Sequence, residues 1–340
     1  MRPFAKRKST LVDLEDIEDA ARRVEGVAVR TPLLPFPELS EEVGGEVRLK
    51  CECLQRAGSF KIRGAFNFVS RLPEEDLARG IITYSSGNHA QAVALAAGLK
   101  GVRAVVVMPT TAPKVKVTGA KRLGAQVFFE GTTSLERKTR AEAIAREEGL
   151  AMVPPFDDPA IIAGQGTVGL EIAQDWPEVE LALVPIGGGG LASGTAAALK
   201  ALLPQVVVVG VEPRGGASMR AALDAQEPVT LKTIDTIADG LAPVRTGDLT
   251  FLHARRYLDD VIVVEDEAIR QAASLLLNRR KLVVEYSGAA TLAALLSGVV
   301  DGRDRRVAVV LSGGNLDPSV MRELAGAEEE GKGEGGGRNS

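Results

Sequence analysis

Leu181-Ala-Leu-Val-Pro-Ile-Gly-Gly-Gly-Gly-Leu-Ala-Ser-Gly194 passes from an apolar strand-like run (residues 181–186) through four glycines into an alanine-rich helix. With no side chains in the way, successive backbone N–H groups and the positive helix end can wrap an anion, so the loop reads as a phosphate cradle. It lacks the Lys-Ser/Thr ending of a P-loop, which argues against ATP in a Walker-type site. A dinucleotide site is a rival reading. Glu212 closes the next strand (residues 206–211) about twenty residues on, at the spacing of a ribose-binding acid in a Rossmann unit.

Outward from this loop, β/α alternation fills almost the whole chain. Strand-like runs at residues 104–108 and 126–129 flank a lysine-rich helix (113–123), and residues 132–148 form a further helix of mixed charge. Thr10 and Asp13 give a capping-box-like start to a helix running to about Val24. The turn-rich Pro154-Pro-Phe-Asp-Asp-Pro159 then interrupts the pattern and reads as a domain crossover. A second series follows, with a helix over 167–175, the glycine-loop strand, and strands at 206–211, 261–264 and 307–311. These are βαβ units, and they imply parallel sheets covered by helices.

Three more segments carry chemistry. Ser59-Phe-Lys-Ile-Arg-Gly64 places Lys61 between a strand-like stretch (47–53) and a helix-like one (65–72). A lysine held in a partly desolvated pocket loses pKa, and its neutral amine is the form that makes a Schiff base with an aldehyde. On these residues alone a solvated helix-terminal lysine is the better reading. Thr83-Tyr-Ser-Ser-Gly-Asn-His-Ala90 puts hydroxyls and free amides at a helix start, more than capping needs, which suits a carboxylate. Val307-Ala-Val-Val-Leu-Ser-Gly-Gly-Asn315 sets the neutral hydroxyl of Ser312 at the carboxyl end of a parallel strand, where ligands of open α/β sheets gather.

Taken in order and spacing, Ser59 to Gly64, Ser85 to His89, Gly187 to Gly190 and Ser312 to Asn315 resemble the pyridoxal-phosphate enzymes of the tryptophan-synthase-β group (fold type II). Within that group the chain is similar to the serine/threonine ammonia-lyase (dehydratase) and serine racemase family, of the catabolic type without a regulatory domain. Arg30-Thr-Pro-Leu33, Ala163-Gly-Gln-Gly-Thr167 and Ile237-Ala-Asp-Gly240 add to the likeness, which runs from about Leu11 to about Leu324. It implies two open parallel-sheet α/β domains, each three-layered (αβα), with pyridoxal 5'-phosphate in the cleft between them. The large domain would take residues 10–54 and 157–325, the small one 55–156, and residues 326–340, nearly devoid of apolar side chains, would be a disordered tail.

The resemblance also assigns roles. Lys61 would anchor the cofactor and serve as the base for the α-proton. Gly187, Gly188, Gly189, Gly190 and Leu191 would bind its phosphate, Asn88 its ring hydroxyl, Ser312 its pyridine nitrogen, and Phe60 would lie against a ring face. Ser85, Ser86, Gly87, Asn88 and His89 would receive the substrate. The implied reaction is loss of water from L-threonine or L-serine to give a 2-oxo acid and ammonia, the cofactor phosphate being the family's usual acid for the leaving hydroxyl. Ser86, on the face opposite the lysine, would let a racemase return a proton there. Other 3-hydroxy amino acids, such as phenylserine or 3-hydroxyaspartate, stay open as substrates. Mammalian-type racemases carry an arginine where this chain has Glu136, with Arg137 beside it, and this leans toward the lyase. The family's cation site pairs a glutamate, here Glu212, with an aspartate whose counterpart is Ser218. With one carboxylate missing, no metal site is assigned, and Glu212 reads equally as a strand-end acid in a local salt bridge.

Composition agrees with an enzyme of this kind. The 340 residues are 45% hydrophobic and 25% charged, enough for a large core, and the net charge of −4 gives no footprint for nucleic acid. The chain shows no signal-peptide core and no apolar run long enough for a membrane span, so a cytoplasmic homodimer or homotetramer is the expectation. Cys51 and Cys53 alternate along a strand and are expected to be buried and reduced. His253 is expected at the surface, and His89 to pack beside Asn88.

Overall fold

The computed structural model describes residues 11–85 and 87–330. Its strands are β1 (Leu33–Pro35), β2 (Glu46–Cys51), β3 (Ile81–Tyr84), β4 (Ala104–Met108), β5 (Gln126–Phe129), β6 (Ala151–Met152), β7 (Leu181–Pro185), β8 (Val207–Pro213), β9 (Asp260–Val264) and β10 (Arg306–Leu311). They build a six-stranded sheet, β1-β2-β10-β7-β8-β9, and a four-stranded one, β5-β4-β3-β6. The α/β class expected from the sequence holds. The one departure from parallel pairing is β1 on β2, at the edge of the larger sheet.

Alternation along the central strands sorts side chains into two cores. Leu183 and Val309 face the helices Asp266–Arg280 and Tyr286–Leu296, packing in a cluster with Leu276 and Leu292. Their neighbours Val184 and Val310 turn the other way, into a cluster with Ile172 and Leu199 from the helices Pro159–Asp175 and Gly190–Leu202. The smaller sheet is covered in the same manner. Ile81 and Val106 pack with Val93 of the helix Asn88–Lys100, while Ile82 and Val105 pack with Ile144 of the helix Ser134–Glu148.

Glycine sets how closely the layers approach where the two sheets meet. A Cβ on Gly164 would lie 2.5 Å from Gly64 Cα, and one on Gly194 would lie 2.2 Å from the Ile162 carbonyl. The helix Pro159–Asp175 therefore rests almost backbone to backbone on the helices Lys61–Val69 and Gly190–Leu202. It begins eight residues earlier than the sequence suggested. Pro159 sits at the helix start, and the Asp158 carboxylate accepts from the Ala160 and Ile161 amides at 2.7 and 3.4 Å.

Several other expectations need correcting. The helix after Ser59-Phe60 starts at Lys61 itself rather than at residue 65. Asp13 caps Leu14–Val24 with Asp16 as its reciprocal partner, while Thr10 lies outside the described residues. Cys53 stands in the tight turn Glu52–Leu54 rather than on β2, because the chain bends there to send Glu52 inward; both cysteines are free and buried. His253 is buried. Its Nε2 accepts from the Val12 amide at 2.9 Å and its Nδ1 lies 2.8 Å from the Leu249 carbonyl. The final helix, Pro318–Glu330, extends through residues 326–330, the start of the expected disordered tail. It is held by Leu324, 1% exposed. Residues 331–340 lie outside the described residues. No described helix is long and apolar enough to cross a membrane.

Candidate active site

A cavity of about 630 Å³ opens where the carboxyl ends of the two sheets converge. Phe60, Lys61, Ser85, Asn88, His89, Gly187–Gly190, Leu191 and Ser312 all line it, so segments far apart in the sequence meet at one place. Ser86 lies outside the described residues, and Gly87 is not among the lining residues but packs on one of them, Lys116, against whose Cδ a Cβ on Gly87 would lie at 2.0 Å.

Two helices start at this cavity without a side-chain cap. Asn88–Lys100 follows Gly87 and Gly190–Leu202 follows Gly189, and neither has a side chain accepting from its first amides. The leading N–H groups of each are free for an anion, and the helix dipole favours one there. The glycine loop is also sterically committed. Gly189 has φ +96°, and a Cβ on Gly188 would fall 2.1 Å from the Phe156 ring. Thr250 Oγ1 donates to the Gly188 carbonyl at 2.7 Å, and the Asp157 carboxylate accepts from the amides of Asp248, Leu249 and Thr250. The crossover segment thus fixes the loop from outside.

Lys61, half-buried, donates to the Pro155 carbonyl at 2.9 Å, and its Nζ lies 5.1 Å from the Phe60 ring centre. No carboxylate among the described residues pairs with it. Burial lowers its pKa to about 8, bringing the neutral amine within reach of physiological pH. His89 falls further, to about 3, through burial and the charge of Lys61, so its ring is neutral. Its Nε2 stands 3.3 Å from the Val153 carbonyl, which can only accept, leaving Nδ1 as a buried acceptor without a partner.

Asn88 is locked by a network the sequence did not disclose. Asn315 Nδ2 donates to Asn88 Oδ1 at 2.9 Å, and Asn88 Nδ2 donates to Glu285. One amide hydrogen of Asn88 remains for a ligand. Lys116 ion-pairs with Glu285 at 2.8 Å and with Asp239 at 2.7 Å, and the two carboxylates hold its pKa above the ordinary lysine value despite burial. Asp239 belongs to the Ile237-Ala-Asp-Gly240 stretch quoted above. Its part as a counter-ion had no local signal, because Lys116 is 123 residues away. Ser312 Oγ reaches the Ser287 carbonyl only at 3.5 Å, the limit of a hydrogen bond, and is free to reorient.

Glu212 lies away from this cavity. It is fully buried, and its two oxygens accept from the Met219 and Arg220 amides, each at 2.8 Å. The expected local salt bridge is replaced by a cap on the helix Ser218–Ala225, and burial raises its pKa to about 7. A carboxylate so used cannot bind a ribose, which removes the main support of the dinucleotide reading. No group of three or more metal-ligating side chains occurs among the described residues.

The residues fit an aldehyde cofactor with a phosphate. A sheltered amine of lowered pKa faces a loop that only glycine can form, and that loop leads into an uncapped helix. Fold and site together define an α/β enzyme of Schiff-base chemistry. The chain belongs to the family described as pyridoxal-phosphate dependent enzymes, whose model matches residues 24–313. It is 45% identical over 314 residues to the L-threonine ammonia-lyase of Thermotoga maritima, covering 92% of this chain and 78% of that one. Among solved structures, maize serine racemase superposes with a TM-score of 0.88 at 38% identity, over 94% of this chain and 98% of that one. A pyridoxal 5'-phosphate-dependent aspartate racemase gives 0.86 at 34% identity, over 92% and 98%.

Proposed function

We propose that the protein eliminates water from L-threonine and L-serine, giving 2-oxobutanoate or pyruvate and ammonia. The observation that carries this is Lys61, an amine without a carboxylate partner, with its pKa lowered to about 8, in a cavity with two uncapped helix starts. Pyridoxal phosphate supplies the conjugated system that makes the substrate's α-hydrogen acidic. Gly187–Gly190 and Leu191 hold its phosphate, Asn88 its ring hydroxyl, Ser312 its ring nitrogen, and Phe60 a ring face. The amides at the start of Asn88–Lys100, with Ser85 and Gly87, hold the substrate carboxylate. His89, neutral and buried, supports that turn from behind through Val153. The Lys61 amine takes the proton from Cα. Ser312, an uncharged hydroxyl, does not force the ring nitrogen to stay protonated, which favours loss of the β-substituent over a long-lived carbanion.

The likeness to the maize racemase favours a second reading, proton return to the opposite face of Cα by Ser86. We place the protein in the cytoplasm as a homodimer or homotetramer, with residues 10–54 and 157–325 as the larger domain and 55–156 as the smaller. The deciding experiment is 2-oxo acid release from L-threonine, L-serine and their D-forms, with Lys61→Ala as control. Release from an L-hydroxy amino acid that Lys61→Ala abolishes supports the lyase. D-serine accumulating from L-serine without oxo acid replaces it with the racemase.

A further inference from the structure

The four glycines at 187–190 solve one problem for an anion and create another. Without Cβ atoms the loop can bring its amides to a phosphate. Glycine, however, takes either sign of φ with similar ease, so each peptide plane in such a loop is free to turn over. A turned peptide presents a carbonyl oxygen where an N–H is needed. Gly189, at φ +96°, holds a conformation that no side chain of the loop enforces. The constraint has to come from outside the loop.

Thr250, fully buried in the first turn of the helix Asp248–Tyr257, is placed to supply it. Its hydroxyl lies 2.7 Å from the Gly188 carbonyl, while the Gly247 carbonyl, at 3.3 Å, is the weaker acceptor. The Gly247 amide donates to the same hydroxyl at 3.1 Å. In a trans peptide the C=O and N–H point opposite ways, so a Gly188 carbonyl held by Thr250 turns the Gly189 N–H to the other side of the loop. Gly189 lines the cavity, and its N–H has no acceptor among the described residues. Thr250 is anchored in turn. Its amide donates to Asp157 at 3.1 Å, and its carbonyl accepts from the Ser193 hydroxyl at 3.3 Å. A Cβ on Gly189 would lie 2.8 Å from Thr250 Cβ, so loop and threonine are packed directly together. We infer that Thr250 is the positioning residue for the cofactor phosphate. Its hydroxyl locks the Gly188–Gly189 peptide with the N–H facing the anion, and so gives the protein its preference for a phosphorylated aldehyde. The inference rests on the reading of Gly187–Gly190 as the phosphate seat.

The test titrates two probes into the cofactor-free protein, pyridoxal 5'-phosphate and pyridoxal, which lacks the phosphate, and follows the absorbance of the bound aldehyde. The wild type should bind the phosphorylated probe more tightly. Thr250→Val keeps the shape of the side chain and removes the hydroxyl. It should weaken pyridoxal 5'-phosphate by about 10- to 100-fold and pyridoxal by less than about 3-fold, as expected for losing one charge-assisted hydrogen bond to the phosphate. Thr250→Ser, which keeps the hydroxyl, should restore the preference. The phosphorus-31 resonance of the bound cofactor should move in Thr250→Val and stay in place in Thr250→Ser. Thr250→Ala removes the same hydroxyl and replaces the valine variant if that one does not fold. An equal fall on both probes overturns the inference, because Thr250 would then support only the fold, and so does an unchanged affinity for pyridoxal 5'-phosphate in Thr250→Val. A wild type that binds both probes equally refutes the phosphate seat itself, and the inference with it.

Discussion

Lys61 and Arg63 are two residues apart in one helix, yet the charge around them is handled in opposite ways. Arg63, 1% exposed, gives Nε and Nη2 to Glu52 at 2.8 Å and Nη1 and Nη2 to Glu171 at 2.6 and 2.9 Å, and also donates to Thr167 and the Val29 carbonyl. Lys50 completes the group through Glu171 and the Thr31 carbonyl, so two cations meet two carboxylates. On the cavity side, neither Lys61 nor Arg137 forms an ion pair with a carboxylate among the described residues. One cluster is a closed set of charges that joins β2, the Lys61 helix and the helix Pro159–Asp175. The other is open toward the cavity. Burial shelters both, so pairing rather than depth separates structure from function here.

Replacing Lys61 by alanine should cut oxo-acid release by at least about 10³-fold while leaving the fold intact, since no ion pair is lost; a rate assay with circular dichroism checks both. Arg63→Met should do the reverse. It strands Glu52 and Glu171 with Lys50 alone, and urea unfolding should show a loss of about 3–5 kcal/mol. Retained stability in Arg63→Met would break the contrast. A third outcome concerns pH. The folded-state pKa of Lys61 is about 8 against an ordinary 10.5, so the unfolded chain binds the extra proton between those values. Stability of the cofactor-free protein should therefore rise with pH across that window, by on the order of 3 kcal/mol, and Lys61→Met should remove the rise. The smallest effect belongs to the exposed pair Arg30–Asp175, where Arg30→Ala should cost less than about 1 kcal/mol by the same unfolding measurement.

What the sequence disclosed follows the same division. β4 and β5 were read to the residue, because apolar runs between breakers are local signals. β1 and β6, three and two residues long, carry no period to detect and exist through their neighbours. Among site residues, those with a motif around them, Lys61, Asn88, the glycines and Ser312, line one cavity. Lys116, Glu285 and Phe156 went unnoticed because each acts through a partner distant in the chain. Arg137 was visible beside Glu136, but a linear alignment passes over a side chain that turns inward from the next position on the helix. His253 was misplaced for the same reason, since its partner, the Val12 amide, is 241 residues away.

The segment 154–159 looks like a place where foreign sequence could be inserted, being rich in proline and lying between two regular series. Its backbone receives Lys61 at Pro155, its Phe156 ring covers Gly188, and its Asp157 and Asp158 each begin a helix. A protein engineer looking for a permissive site for a tag or a split point should avoid it. A cut there would separate the amine from the cradle that must face it, and the two halves would have to recover that alignment by reassociation alone.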